Sequence, residues 1–340
     1  MEAATFRIEH ANRASRIGLA IFAIALAMLA AAPAWADRQD LRLLGEIYAY
    51  IALASFWNLL AGYTGLVSIG QQAYVGFGAY MLYALAMLAG VHPLAAIPLA
   101  GLASAAVAVP VAALMFRLRG HYFAIGTWVM AEVFRLLASQ ISALDGGSGT
   151  SLPTDIVLQI AGTRQMRESL IYWIAFALAV AVVGAIVLLL RSRYGLALTA
   201  IRDSELSARS NGVDVLRIKY AVYVITALGT AVIGALVFLQ KQRISPDTAF
   251  SVNDWTASVI FITVIGGIGR VEGPIIGTVV FFVLRQTLAD LGTVYLMILG
   301  GVAIVVMLAA PKGIWGTVAD RYGWQLFPLE RRVVVAKGRQ

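Results

Sequence analysis

A chain of 340 residues that is 60% hydrophobic and only 13% charged, with a mean hydropathy of +0.82, stands far from a soluble domain; such domains are about 45–50% apolar and about 25% charged. A compact soluble fold has a polar exterior to cover and cannot absorb that much apolar surface, so residues 1–340 read as one transmembrane unit with no separate soluble domain. The net charge of +8 would suggest nucleic acid in a soluble protein, but no aromatic-interleaved basic patch is present, and the basic residues read instead as inward loops that orient membrane spans.

A span needs roughly 20 apolar residues to cross a hydrocarbon core about 30 Å thick. In chain order this predicts about ten: 16–36, 42–61, 66–89, 94–116, 120–140, 169–190, 218–240, 254–268, 274–291 and 294–310. The expected fold class is therefore all-α, a polytopic helix bundle. With both termini inside, the inward segments hold eighteen of the 26 basic residues and the outward segments six, which is the bias expected of an even number of spans. Residues 1–15 and 311–340 then form inner tails, and 191–217 an inner loop. Trp35, Trp57, Trp173, Trp255 and Trp315 fall near span ends, as an aromatic belt would place them. Ala34-Trp35-Ala36 has the form of a signal-peptide cleavage site; the apolar run before it is longer than a usual signal core, so it is expected to stay as the first span. Its loss would leave nine.

The chemistry-bearing residues are sparse. Cysteine is absent, which excludes disulfides and thiolate sites. His10, His92 and His121 are scattered, so no metal or cofactor is expected. No GxxxxGK[ST] phosphate loop occurs, and no cluster of His, Asp or Glu suits acid–base catalysis, so the chain is not expected to be an enzyme. In the third span Ser68, Gln71 and Gln72 lie among Gly70, Gly76 and Gly78. Interrupted backbone at membrane depth needs protein or a water-filled cavity around it, which makes these polar residues candidates for a solute pathway; the glycines equally suit close helix packing. Glu132 and Arg135, three apart, can pair on one helix face near the outer end of the fifth span, or meet solute. Trp128 lies about 13 Å along that helix from Arg119, nearer mid-membrane than the other tryptophans, and is expected in the core. Arg285, with Asp290 nearby, is expected to snorkel outward. The outer connection 142–168 carries Asp145-Gly-Gly-Ser-Gly-Thr150, a flexible turn-rich run.

The longest inner connection, 191–219, combines basic residues, a helical stretch with apolar Leu198, Ile201 and Leu206, and Asn211-Gly212 as a stop. Composition leaves two readings open: a helix that docks into a groove on a partner protein, or one lying on lipid headgroups.

Four motifs decide between them. Gly195-Leu-Ala-Leu-Thr-Ala-Ile-Arg202-Asp-Ser-Glu205 with Ala208, Gly212 and Lys219 resembles the coupling loop of ABC importer permeases of the branched-chain amino-acid (LivM-like) type. The run from Asn58 through Gly62, Gly65, Ser68, Gly70, Gly76 and Gly78 to Tyr80 is similar to that family's glycine-rich signature. Residues 118–135 resemble its fifth-span motif, and Gly266-Gly267-Ile-Gly269 with Gly273-Pro274 and Gly277 its late glycine-rich turn. The resemblance implies that Ala200, Ile201, Arg202, Glu205, Ala208 and Gly212 meet the ATPase subunits. Asn58, Ser68, Gln71, Gln72, Trp128 and Glu132 become pathway candidates. It also implies a LivH-like membrane partner, two ATPases that carry the ATP, a periplasmic binding protein docking near the outer loop, and a bacterial inner-membrane location. Gln71-Gln72 departs from the family's usual histidine or asparagine and small residue, so the solute class extends to related amino acids and amides. The competing expectation, an ion-coupled secondary transporter, would rest on Glu132 as its main carboxylate.

Overall fold

A computed structural model describes residues 6–9, 13–288, 291–292, 294–322, 327 and 332–335. Among these the chain runs β1 (Phe6–Glu9), α1 (Arg13–Ala30), α2 (Arg38–Thr64), α3 (Gln71–Met87), α4 (Pro93–Met115), α5 (His121–Ser139), β2 (Thr150–Ser151), α6 (Thr154–Ile160), α7 (Arg164–Arg191), α8 (Arg193–Asp203), α9 (Glu205–Ser210), α10 (Val215–Lys241), β3 (Arg243–Ile244), α11 (Pro246–Ala249), α12 (Ser258–Gly266), α13 (Glu272–Thr287), α14 (Val294–Ala309), α15 (Gly313–Tyr322) and β4 (Arg332–Val335). The architecture is the expected all-α bundle. Among the described residues six helical stretches are long and apolar enough to cross a membrane: Arg38–Thr64, Pro93–Met115, Arg164–Arg191, Val215–Lys241, Pro246–Gly266 and Val294–Tyr322. The other four expected spans fall on shorter or less apolar pieces. α3 has 17 residues and α13 has 16.

The third span is short because its first part is not helical. α2 ends at Thr64, capped by Gly65 in the left-handed conformation. Residues 65–70 then turn back along α2, where the Trp57 indole N–H donates to the Ser68 carbonyl at 2.8 Å. Trp57 lies seven residues before Thr64, about 10 Å up the helix, so α3 starts from inside the bundle rather than from its end. This broken span leaves Gln71 and Gln72 at a buried helix start.

α10 is the central helix and packs on α2, α3 and α4. Two apolar clusters surround it. The upper one stacks Tyr50, Trp255, Phe281 and Phe282; the lower one gathers Phe116, Phe123, Tyr74 and Tyr223. Arg42 and Arg164 stand at the upper end on Glu168. Arg270 and Lys312 meet Asp320 at the lower end. β1 pairs antiparallel with β4, bringing the two tails together. The Phe327 N–H donates to Glu272 at 2.9 Å, tying the C-terminal segment to the lower end.

Several local expectations change. Trp57 and Trp255 are buried core residues, each with its indole N–H on a backbone carbonyl, whereas Trp35 and Trp173 are exposed as a belt requires. Trp128, expected in the core, is half-exposed on α5. Arg285 does not simply snorkel; it pairs with Glu46 of α2 at 2.7 Å and lies over the Phe282 ring. Asp290 lies outside the described residues. The turn-rich outer run is anchored: Thr150 and Ser151 pair with Ile244 and Arg243, and α6 follows.

Candidate coupling face and solute pathway

The loop at 191–219 forms two helices rather than one. Ser192 caps α8 by accepting the Tyr194 N–H at 3.1 Å, and Ser204 breaks the chain and caps α9 by accepting the Ser207 N–H at 3.2 Å. Asp214 then caps α10 through the Arg217 N–H, and Gly212 supplies the positive φ of +80° between them. The break resets the helical phase. Leu198, Ile201 and Ala208 are buried, while Leu206, grouped with the first two by its apolar character, is 77% exposed. Ala200, Arg202, Glu205 and Gly212 are exposed, so four of the six contact candidates face outward while Ile201 and Ala208 seat the helices on Val215. Exposed Leu196 of α8 escaped the sequence reading, and the break at Ser204 is what turns Leu206 outward.

This platform is tied to the glycine-rich turn between α12 and α13. The Arg202 guanidinium lies against Gly269. Asn58 of α2 brackets the same turn: its Oδ1 accepts the Gly269 N–H at 2.7 Å and its Nδ2 donates to the Arg270 carbonyl at 2.8 Å. Asn58 is 2% exposed, so its amide is consumed in holding the turn. Gly62 fits because a Cβ there would lie 2.6 Å from the Gly269 nitrogen. Gly267 and Gly269 both take positive φ, and a Cβ on Gly266 would strike the Gly273 carbonyl. The Lys219 ammonium reaches Glu205, joining α9 to α10.

The other pathway candidates separate into two sets. Ser68, Gln71 and Gln72 are buried. Ser68 Oγ accepts the Gly70 N–H at 3.2 Å, Gln72 exchanges hydrogen bonds with Thr256, and Gln71 Nε2 has no partner among the described residues. Gly70 packs on Thr127, Gly76 on the Phe250 ring and Gly78 on Ala231, so these glycines set helix spacing. Trp128 and Glu132 instead lie on the open face of α5. Glu132 pairs with Arg135 at 2.6 Å as expected, and Asp247 joins at 2.9 Å. Asp247 and Thr256 were not singled out from sequence, because their partners lie more than a hundred residues away. Among the described residues no group of three or more His, Asp or Glu is placed to hold a metal ion.

A family model and several known permease proteins match this chain. The family described as "Branched-chain amino acid transport system / permease component" matches residues 41–310. The high-affinity branched-chain amino acid transport system permease protein LivM of Salmonella typhimurium is 28% identical over 86% of this chain and 74% of its own length. The ribose import permease protein RbsC of Bacillus subtilis is 28% identical over 54% of this chain and 57% of its own. A probable LivH permease protein of Methanocaldococcus jannaschii is 23% identical over 48% of this chain and 58% of its own. No solved structure gives a significant match. The match over 41–310 takes in the broken third span, the α8–α9 platform and the glycine-rich turn it rests against, and the chain belongs to the branched-chain amino-acid transport system permease family.

Proposed function

We propose that this permease subunit carries branched-chain amino acids, or related small amino acids and amides, into the cytoplasm, and that it hydrolyses no ATP itself. Two partner ATPases dock on the lower end, a LivH-like permease pairs with it in the membrane, and a periplasmic binding protein delivers solute above. The lower end is then cytoplasmic, both termini with it, and the broken and short helices complete about ten passages of the inner membrane. The chain needs no resident cofactor, since ATP is bound by the partners.

The observation that carries this reading is the outward α8–α9 platform, whose Arg202 lies against the turn that Asn58 holds. Closure of the ATPases against exposed Ala200, Glu205 and Leu206 displaces the two short helices. Leu198 and Ile201 pass that movement to the bundle core, and Arg202 to the glycine-rich turn. Exposed Trp128 and Glu132 on α5, with Ser68, Gln71 and Gln72 behind it, would line the solute's route.

The test is co-purification of the tagged chain in mild detergent from cells expressing the neighbouring genes. Wild type should bring two ATPases and a second permease, and Ala200→Trp with Leu206→Asp should lose the ATPases alone. Wild type that purifies with no ATPase sinks the proposal. Leucine uptake set against urea uptake in the same cells decides the solute class.

A further inference from the structure

At the lower end a cavity of about 980 Å³ opens between residues 65–67, the turn joining α4 to α5, and the corner of α9 and α10. Its charged lining is Arg119, Arg209, Lys219 and Glu205. Glu205 satisfies Lys219, but no ion pair or side-chain hydrogen bond among the described residues engages Arg119 or Arg209. Beside these free cations the wall is apolar and open: Leu206 is 77% exposed, Leu216 57% and Val67 47%. The groove therefore makes two demands at once. Two guanidinium groups call for a phosphate, which they bind in bidentate fashion, and adjoining leucine and valine side chains call for removal from water. An inorganic phosphate meets only the first demand. An anionic phospholipid meets both, and it is abundant where the bundle leaves the hydrocarbon.

We propose that this groove binds the headgroup of an anionic phospholipid, with its phosphate drawn to Arg119 and Arg209 and its acyl chains over Leu216 and Val67. Because α9 forms one wall and the α4–α5 turn another, the bound lipid braces the coupling platform against the bundle. The inference rests on the membrane placement of the helices and not on the identity of the solute.

The test is native mass spectrometry and lipid extraction of the detergent-purified assembly, followed by reconstitution in nanodiscs of phosphatidylglycerol or phosphatidylcholine. Wild type should retain a phosphatidylglycerol-class lipid through delipidation. Arg119→Ala with Arg209→Ala should weaken that retention about thirtyfold, at the usual strength of two cations near an anionic headgroup. Arg119→Lys with Arg209→Lys should give intermediate retention, keeping the charge and losing the bidentate contact; Arg119→Gln with Arg209→Gln should weaken retention like the alanine pair and serves if the alanine variant fails to fold. Equal retention by wild type and the alanine variant overturns the site, as does equal retention of phosphatidylcholine. Displacement of the lipid by millimolar inorganic phosphate alone would assign the groove to free phosphate. Loss of an ATPase from the alanine variant with lipid unchanged would assign it to a protein.

Discussion

Asn58 and Gly269 are 211 residues apart in sequence and joined by a 2.7 Å hydrogen bond from the glycine N–H to the asparagine side chain. The same side chain donates to Arg270, so one buried amide bonds an N–H and a carbonyl of the turn that Arg202 of α8 lies against. Asn58→Leu would strand a backbone N–H and a backbone carbonyl at about 1–3 kcal/mol each. Thermal unfolding of the purified chain should show a clear drop in midpoint. An unchanged midpoint would mean that the bracket contributes nothing to the fold.

α3 and α10 cross where both are pared to backbone. A Cβ on Gly78 would run into the Ala231 carbonyl, and one on Gly234 into that of Val75. Overpacking a well-filled interior typically costs about 1–3 kcal/mol, and here the obstacle is backbone, which cannot rotate away. Gly78→Val should therefore cut the folded yield after heating, read by fluorescence-detected size exclusion. Gly184 in α7 has nothing within 4 Å of an added Cβ, so Gly184→Ala should be neutral or stabilise by about 0.5–1 kcal/mol. Equal behaviour of the two variants would remove the crossing as the cause.

Local patterns made much of this visible in the sequence. Glu132 and Arg135 share a helix face by spacing alone and do pair. The glycine strings were legible as sites of close approach, and the 191–219 stretch as a helical connection. What stayed hidden depends on chain crossings or on phase. Asn58 looked like a polar lining residue because its partners enter two hundred positions later. Trp57 and Trp255 looked like belt residues because a span end and a buried carbonyl are indistinguishable in a hydropathy trace. Leu206 looked continuous with Leu198 and Ile201 because nothing in the apolar spacing shows that Ser204 restarts the helix.

That restart yields its own prediction. Ser204 holds the first turn of α9 through the Ser207 N–H, and loss of such a cap costs about 1 kcal/mol. Ser204→Ala should raise the open population of α9 roughly fivefold. Trypsin cleavage at Arg209, which lies in that helix and is exposed, should accelerate accordingly while the rest of the bundle resists. Cleavage at the wild-type rate would show that the platform is held by its partners or by Ala208 packing, not by the cap.

The open face of α5 gives the sharpest test of the pathway. Arg135 links Glu132 on its own helix to Asp247 of α11, and the Glu132 and Asp247 side chains are 46% and 82% exposed. Charged groups turned toward lipid are costly and rare in spans, so this face meets water or protein, and half-exposed Trp128 sits one turn below Glu132 on it. α4 offers a contrast, for its exposed residues Leu99, Leu102 and Val109 are all apolar. The chain contains no cysteine, so single substitutions report without background. Trp128→Cys and Glu132→Cys should react with a membrane-impermeant maleimide in the resting assembly and become protected when nucleotide traps the partner ATPases closed. Leu102→Cys should remain unreactive in both states, because thiolate formation needs water. If Trp128→Cys and Leu102→Cys are equally inert, the face of α5 lies in lipid, and the route for solute must run instead past the buried glutamines at the start of α3.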